Sequence, residues 1–261
     1  MSSNKVGIVV PTLGTRISFL TDALSSLRQS GDCFVGIVAP DPDSIRQFVD
    51  PSLFDDIYLD PSKGLAAAIN FGMSLLPLDI SYVSWLGDDD LHTKGSLREC
   101  SKFLDQNPEV VLVYGMCEYI NSLGSVLFMN RSGVFAKWLM HVGPQLIPQP
   151  GSLFRRAAFD QVGGLDSRYD WAFDLDLLFK LKQIGKFGYL GQQLGSFRWH
   201  PGSLSVGGRG NSVTEASKIR TKFLPFWLKP ISPMWEAPLR KGILLAGNSV
   251  SRRSRRQDLL K

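Results

Sequence analysis

Three consecutive carboxylates, Asp88, Asp89 and Asp90, follow directly on the apolar run ISYVSWL in the stretch ISYVSWLGDDDLHTKG. Adjacent like charges repel, and Asp is depleted in strands, so a triplet where a buried strand surfaces needs either bulk water or a cation. A solvated turn or a helix N-cap would account for the triplet taken alone. A divalent ion would use it, because hard cations take oxygen ligands, commonly one or two carboxylates completed by other oxygens. A second acidic pair, Asp174 and Asp176, lies in FDLDLLFKL. Asp174 falls in the expected first turn of a helix, where a carboxylate meets free N–H groups and the positive end of the helix dipole. Asp176, two residues on, cannot share its face.

The elements around these residues alternate. VGIVV (6–10), CFVGIVA (33–39), DIYLD (56–60), ISYVSWL (80–86) and VVLVYGMCEYI (110–120) read as strands. Between them lie helical stretches, one with Ile17, Leu20, Leu24 and Leu27 on a single face. Strands alternating with helices predict an α/β fold with a mostly parallel central sheet and flanking helices. In such sheets ligands bind beyond the carboxyl ends of the strands. PTLGTR, PDPD, DPSKG and GDDD follow strands one to four, so four loops are expected to line one cleft. Further on, SLFRR reads as a strand, residues 171–184 as a helix, and FRWH as a short strand ending at His200, before a Gly/Ser-rich loop expected to be mobile.

Composition bounds the reading. The 261 residues are 44% hydrophobic and carry a net charge of +5, which fits a globular chain with a substantial core. The longest apolar runs fall well short of a membrane span, and KVGIVVPTLG lacks the flanks of a signal peptide. Three widely spaced cysteines, with no CxxC, predict buried thiols in a reducing compartment, hence a cytoplasmic protein. The charge is uneven: residues 218–261 hold eleven Lys/Arg against Glu236 and Asp258, a net of +9, so the remainder carries −4.

The order VVPTLGTR, GLAAAIN, WLGDDD, FDLDLLFKL and FRWHPGSLS resembles a family 2 glycosyltransferase of the GT-A fold over roughly residues 5–215. The resemblance implies inverting transfer of a sugar from a nucleoside-diphosphate donor, assisted by Mn2+ or Mg2+, to a glycan or lipid-linked acceptor. It implies a catalytic domain over 1–217, with a nucleotide-binding half (1–115) and an acceptor-binding half (116–217), and a basic extension over 218–261. Asp88, Asp89 and Asp90 would hold the metal, with His200 as a further metal or phosphate ligand; a neutral imidazole suits Mn2+ better than Mg2+. Many members carry an Asp where this chain has Gly87, so either Asp88 takes over that contact or the motif reads Asp88-x-Asp90. Asp174 would be the general base, with Asp170 as its rival and Asp176 supporting the fold or the acceptor pocket. Pro11, Thr12, Arg16, Asp41, Lys63, Gly64, Asn70 and Asp88 would line the nucleotide. The family's Arg before the helix-three Asn is Ile69 here. GGRG (207–210) reads as a lid whose Arg209 reaches phosphate on closing. Trp171 and Trp199 could stack on a sugar, although large aromatics are more often core.

The tail interleaves Phe223, Phe226, Trp227, Leu228, Met234 and Trp235 with basic residues, which suits peripheral contact with an anionic membrane at its inner face. Its prolines argue against one continuous amphipathic helix. Three alternatives stand beside the enzyme reading. One is an inactive binder of nucleotide sugar or glycan; another is a nucleotidyltransferase, for which PTLGTR is poorly basic. The third is nucleic-acid binding through the arginine cluster, disfavoured because no nucleic-acid module accompanies it.

Overall fold

The computed structural model describes residues 6–131 and 133–258. Lys5, beside the expected first strand, and Lys261 of the basic tail lie outside the described residues. The first half runs β1 (Val6–Pro11), α1 (Ile17–Ser30), β2 (Phe34–Ala39), α2 (Pro42–Phe48), β3 (Asp56–Leu59), α3 (Leu65–Leu75) and β4 (Tyr82–Trp85). The second runs β5 (Leu91–His92), α4 (Ser96–Gln106), β6 (Val110–Ile120), β7 (Val126–Asn130), α5 (Ala136–Leu139), β8 (Leu153–Arg155), α6 (Arg156–Gln161), α7 (Phe173–Ile184), β9 (Lys186–Arg198), α8 (Leu204–Gly207), α9 (Arg209–Phe223) and α10 (Pro233–Asp258).

Among the described residues, nine strands join one sheet in the order β3-β2-β1-β4-β8-β6-β9-β5, with β7 added on β6. The stretch β3-β2-β1-β4 is parallel, as the alternating pattern predicts. Beyond β4 the sheet is mixed: β8 runs antiparallel to both β4 and β6, while β9 runs parallel to β6. This departs from a mostly parallel sheet. Its cause is local, since β8 is only three residues long and enters from the loop after α5, not through a crossover helix.

Successive strand residues serve opposite faces. Ile8 and Val10 pack with Leu20, Leu24 and Leu27 of α1, whereas Val9 packs with Ile69 and Met73 of α3. At Gly72 a Cβ would stand 2.6 Å from Val9 Cγ1 and 2.8 Å from Val38 Cγ2, so α3 lies as close to the sheet as a glycine permits. The three cysteines are buried and form no disulfide, and burial pushes the Cys33 and Cys100 thiols up to about 12.

Several expectations are corrected. The short strand expected at FRWH is the end of β9, thirteen residues long. The expected mobile loop after His200 is helical in α8 and α9. The expected boundary at 217/218 falls inside α9, and the 115/116 division falls inside β6. The basic extension is α-helical, with α10 running from Pro233 to Asp258 despite Pro238. Its helices pack on the body through buried Ile219, through Phe223 stacked on Phe179, and through Ser251, which accepts from Trp199, while Arg220 joins α9 to α10 by donating to Glu236 at 2.6 and 2.8 Å. No helix among the described residues is long and apolar enough to cross a membrane.

Candidate active site

Three strand ends bring the site together. β1 and β4 are parallel neighbours, so Thr12 and the Asp triplet leave the sheet on the same edge. The third contributor is β9. Two-residue β5, directly after the triplet, pairs antiparallel with Gly195 and Ser196 of β9 and pins Asp88–Asp90 beside His200.

Arg198 fixes this junction. Its backbone N–H donates to Asp90 Oδ1 at 2.8 Å, and its Nε donates to the Asp89 carbonyl at 2.8 Å. The guanidinium lies over the Phe19 ring, 4.4 Å from the centroid. At 4% exposure Arg198 is a buried clamp on the Asp89 carbonyl and the Asp90 carboxylate. Each Asp then has its own surroundings. Asp88 Oδ2 accepts from Thr12 Oγ1 and Oδ1 from Arg16 Nη2, both at 2.6 Å. Asp89 Oδ2 lies 2.8 Å from His200 Nε2 and 3.5 Å from Arg16 Nη1. Arg16 Nη1 also donates to the Gly202 carbonyl at 3.1 Å, tying the first loop to the segment after β9. Burial raises the Asp88 carboxyl, opposed by Thr12 and Arg16. Burial and the neighbouring Asp89 charge push Asp90 well above the ordinary carboxylate range, against the Arg198 N–H.

Two carboxylate oxygens remain for a cation. A Cβ on Gly87 would lie 3.0 Å from Asp89 Oδ1 and 3.1 Å from Asp90 Oδ2, so the missing side chain leaves a cradle between them. Neither oxygen is engaged by a hydrogen bond among the described residues, whereas both oxygens of Asp88 are. No three His, Cys, Asp or Glu side chains form a ready cage among the described residues. Two carboxylates with phosphate and water completing the shell are the usual arrangement for Mg2+, and the nearby imidazole extends the set towards Mn2+. These residues fit a divalent cation, with Asp88 as the least available of the three.

Asp174 sits at the start of α7, half-buried. Its Oδ2 accepts from Gln145 Nε2 at 2.9 Å and its Oδ1 from the Leu175 N–H at 2.8 Å. Burial raises its carboxyl above the ordinary value, with Gln145 and the backbone opposing; a nearby helix terminus does not hold it low, as the sequence alone would suggest. The preceding Phe173 ring lies 6.4 Å from Trp85, the last residue of β4. Burial raises the Tyr119 hydroxyl. Asp176 is fully buried between Lys180 at 2.8 Å and Lys222 at 2.7 Å, joining α7 to α9. Asp170 is connected through its N–H, which donates to Glu215 together with those of Trp171 and Ala172.

The remaining expected nucleotide contacts divide. Pro11 ends β1, and exposed Asp41 caps α2 by accepting from the Ser44 N–H at 3.1 Å. Lys63 and Gly64 are exposed before α3, Gly64 at φ +90°. Two expectations are corrected. Asn70 spends its amide on Leu165, donating to the carbonyl at 2.8 Å and accepting from the N–H at 3.0 Å, so it splices α3 to the loop before α7. Arg209 is no free lid residue: it lies 4.9 Å over the Trp199 ring and donates to Asn248 and Ser251 of α10. Trp171 packs on the Gly208 backbone, where a Cβ would overlap its ring, and Trp199 donates to Ser251 at 3.1 Å. Gln145, Gln149 (which donates to the Trp85 carbonyl) and Arg198 escaped the sequence reading. The spacing of two glutamines in PQLIPQP is no motif, and backbone-directed bonds leave no sequence signal.

No protein-family profile and no curated protein matches the sequence. Solved structures do match in fold. The mannosyltransferase PcManGT from Pyrobaculum calidifontis, in complex with GDP-Man and Mn2+, superposes with a TM-score of 0.62 at 16% identity, over 95% of this chain and 76% of that one. S. aureus TarS 1–349 in complex with UDP-GlcNAc gives 0.60 at 14% identity, over 90% and 71%. Against a further structure of TarS 1–349 the chain spans 65% of that chain, and against the longer TarS structure 42%. The chain therefore shares a GT-A-like fold with these solved structures.

Proposed function

We propose that this protein is an inverting glycosyltransferase that moves a sugar from a nucleoside-diphosphate donor to a hydroxyl of a glycan or lipid-linked acceptor, with Mn2+ or Mg2+ at the acidic triplet. The observation that carries this reading is the convergence of Thr12, Arg16, Asp88–Asp90 and His200 from three strand ends on one edge of a GT-A-like sheet. Asp89 and Asp90, with His200 beside them, would hold the cation. Bound there, a divalent cation supplies positive charge against the departing diphosphate. Arg16, anchored on Asp88 and the Gly202 carbonyl, offers a guanidinium to the same phosphates.

Asp174 is the general base of this reading. Its carboxylate takes the proton of the acceptor hydroxyl while that oxygen bonds to the anomeric carbon and the bond to the diphosphate oxygen breaks. Gln145 and the Leu175 N–H hold the carboxylate in one orientation, as a base facing a single acceptor oxygen requires. The place of action we assign is the cytoplasmic side of a membrane or the cytoplasm itself.

Calorimetry with UDP and GDP, with and without Mn2+, tests the site. Replacing Asp89 and Asp90 by Asn should abolish the Mn2+-dependent part of nucleotide binding. Undiminished metal-dependent binding would overturn the assignment of the triplet.

A further inference from the structure

The turn around α5 carries its apolar stripe on the wrong side. Backbone hydrogen bonds continue the helical turn from Phe135 to Gly143, and Ala136 and Met140 point into the core. Phe135, Trp138, Leu139 and Val142, spaced i, i+3, i+4, i+7, face solvent instead, Phe135 at 69% and Trp138 at 61% exposure. Such a stripe ordinarily faces a core. A second exposed group follows α9: Phe226 at 84%, Trp227 at 62% and Met234 at 79%. Phe179 bridges the neighbouring chain: His141 lies 5.0 Å edge-on to it, and it stacks at 4.8 Å on Phe223, three residues before Phe226.

Charge selects the partner. Neither 131–147 nor 217–235 contains a single Asp or Glu, whereas they hold Arg131, Lys137, Lys218 and Lys229, beside Lys222 paired with Asp176 and Arg220 paired with Glu236. Lys218, Lys222 and Lys229, with Ser217 and Thr221, line a recess of about 420 Å3. A second copy of this chain docking through the same face would set these lysines against each other. An anionic bilayer meets both demands, taking aromatic side chains at its interface and lysines among its headgroups.

We infer that the surface formed by segments 134–142 and 226–234 docks this protein on an anionic lipid bilayer. The inference deepens the proposed function and rests on it for one consequence: the acceptor is lipid-linked. Two residues beyond Gly143 the docking segment delivers Gln145 to Asp174, so the membrane-facing turn and the orientation of the base belong to one stretch of chain.

Flotation of the full chain with phosphatidylcholine vesicles, with and without phosphatidylglycerol, tests it. The protein should bind the anionic vesicles and not the neutral ones. The pairs Phe135→Ser with Trp138→Ser and Phe226→Ser with Trp227→Ser should each weaken binding by about tenfold or more, since every buried aromatic adds apolar area at the interface. Melting temperature and Mn2+-dependent UDP binding should stay unchanged in both. Failure of the wild-type protein to float with anionic vesicles, or equal binding by both paired variants, would overturn the inference. So would self-association in sedimentation velocity that the same pairs abolish, which would assign the surface to a second copy. Loss of UDP binding in the wild-type protein with vesicle binding intact would instead remove the glycosyltransferase reading and leave the docking surface standing.

Discussion

Asp174 occupies surroundings that suit a base better than a simple cap. Burial disfavours its charged form, so its pKa lies above the ordinary carboxylate value in the folded protein. A base with a raised pKa accepts a proton more readily. The sign for stability follows. The native state favours protonated Asp174, which contributes stability at low pH that is lost as pH rises through the raised pKa. Asp174→Asn removes that loss and keeps an acceptor for Gln145. Transfer should fall about 10²–10⁴-fold, as removal of a general base does. Its thermal stability should match the wild type below about pH 4 and exceed it progressively above the folded pKa. Turnover near the native rate would move the base elsewhere. At this scale legibility divides by bonding. Residue type singled out Thr12, Arg16, the triplet and His200 in the sequence, and the fold brings these side chains together. Asn70 and Arg209 were misassigned because their types suit a ligand equally well, yet Leu165 and α10 claim them. Arg198 acts partly through a backbone N–H that any residue but proline carries.

At the scale of elements, strong periodicity carried the reading and tertiary context defeated it. VVLVYGMCEYI became β6 over the expected residues, since its Val, Ile and Tyr positions favour a strand and outweigh Gly115 and Glu118. β5 went unseen because two residues have no period, although they bring the triplet to His200. The helices after His200 were read as a loop because Gly and Ser signal turns, whereas packing against Trp171 and Trp199 holds them helical. The pair that locks α9 to α10 is testable. Arg220 at 1% and Glu236 at 6% side-chain exposure form a bidentate contact away from water. Glu236→Gln leaves a buried guanidinium without its counter-charge, which costs about 3–5 kcal/mol. Urea denaturation should show that loss, while UDP binding at saturating Mn2+ stays unchanged below the transition. A loss within about 0.5 kcal/mol, as at an ordinary surface site, would mean that the pair does not hold the two helices together.

At the scale of the molecule, charge partition suggested a catalytic body and a detachable basic tail, and packing contradicts it. Ending the chain after residue 217 would cut α9 in half. It would remove Ile219, fully buried in the main core cluster, and Phe223, which stacks on Phe179. It would also take Lys222 from Asp176, leaving that fully buried carboxylate on Lys180 alone. Trp199 and Arg209 would lose their partners on α10 a few residues from His200. Each large buried side chain contributes about 2–5 kcal/mol, against a total stability of about 5–15 kcal/mol for a domain. The truncated chain should therefore melt far below the full-length protein or without a cooperative transition, and bind a dye for exposed apolar surface. Neutralising exposed Arg252, Arg253, Arg255 and Arg256 to Gln removes most of the terminal charge without touching these contacts. That variant should keep its melting temperature, since each surface change moves stability by about 0.5 kcal/mol or less. A cooperative transition of the truncated chain near the full-length temperature, with UDP binding retained, would restore the two-part reading.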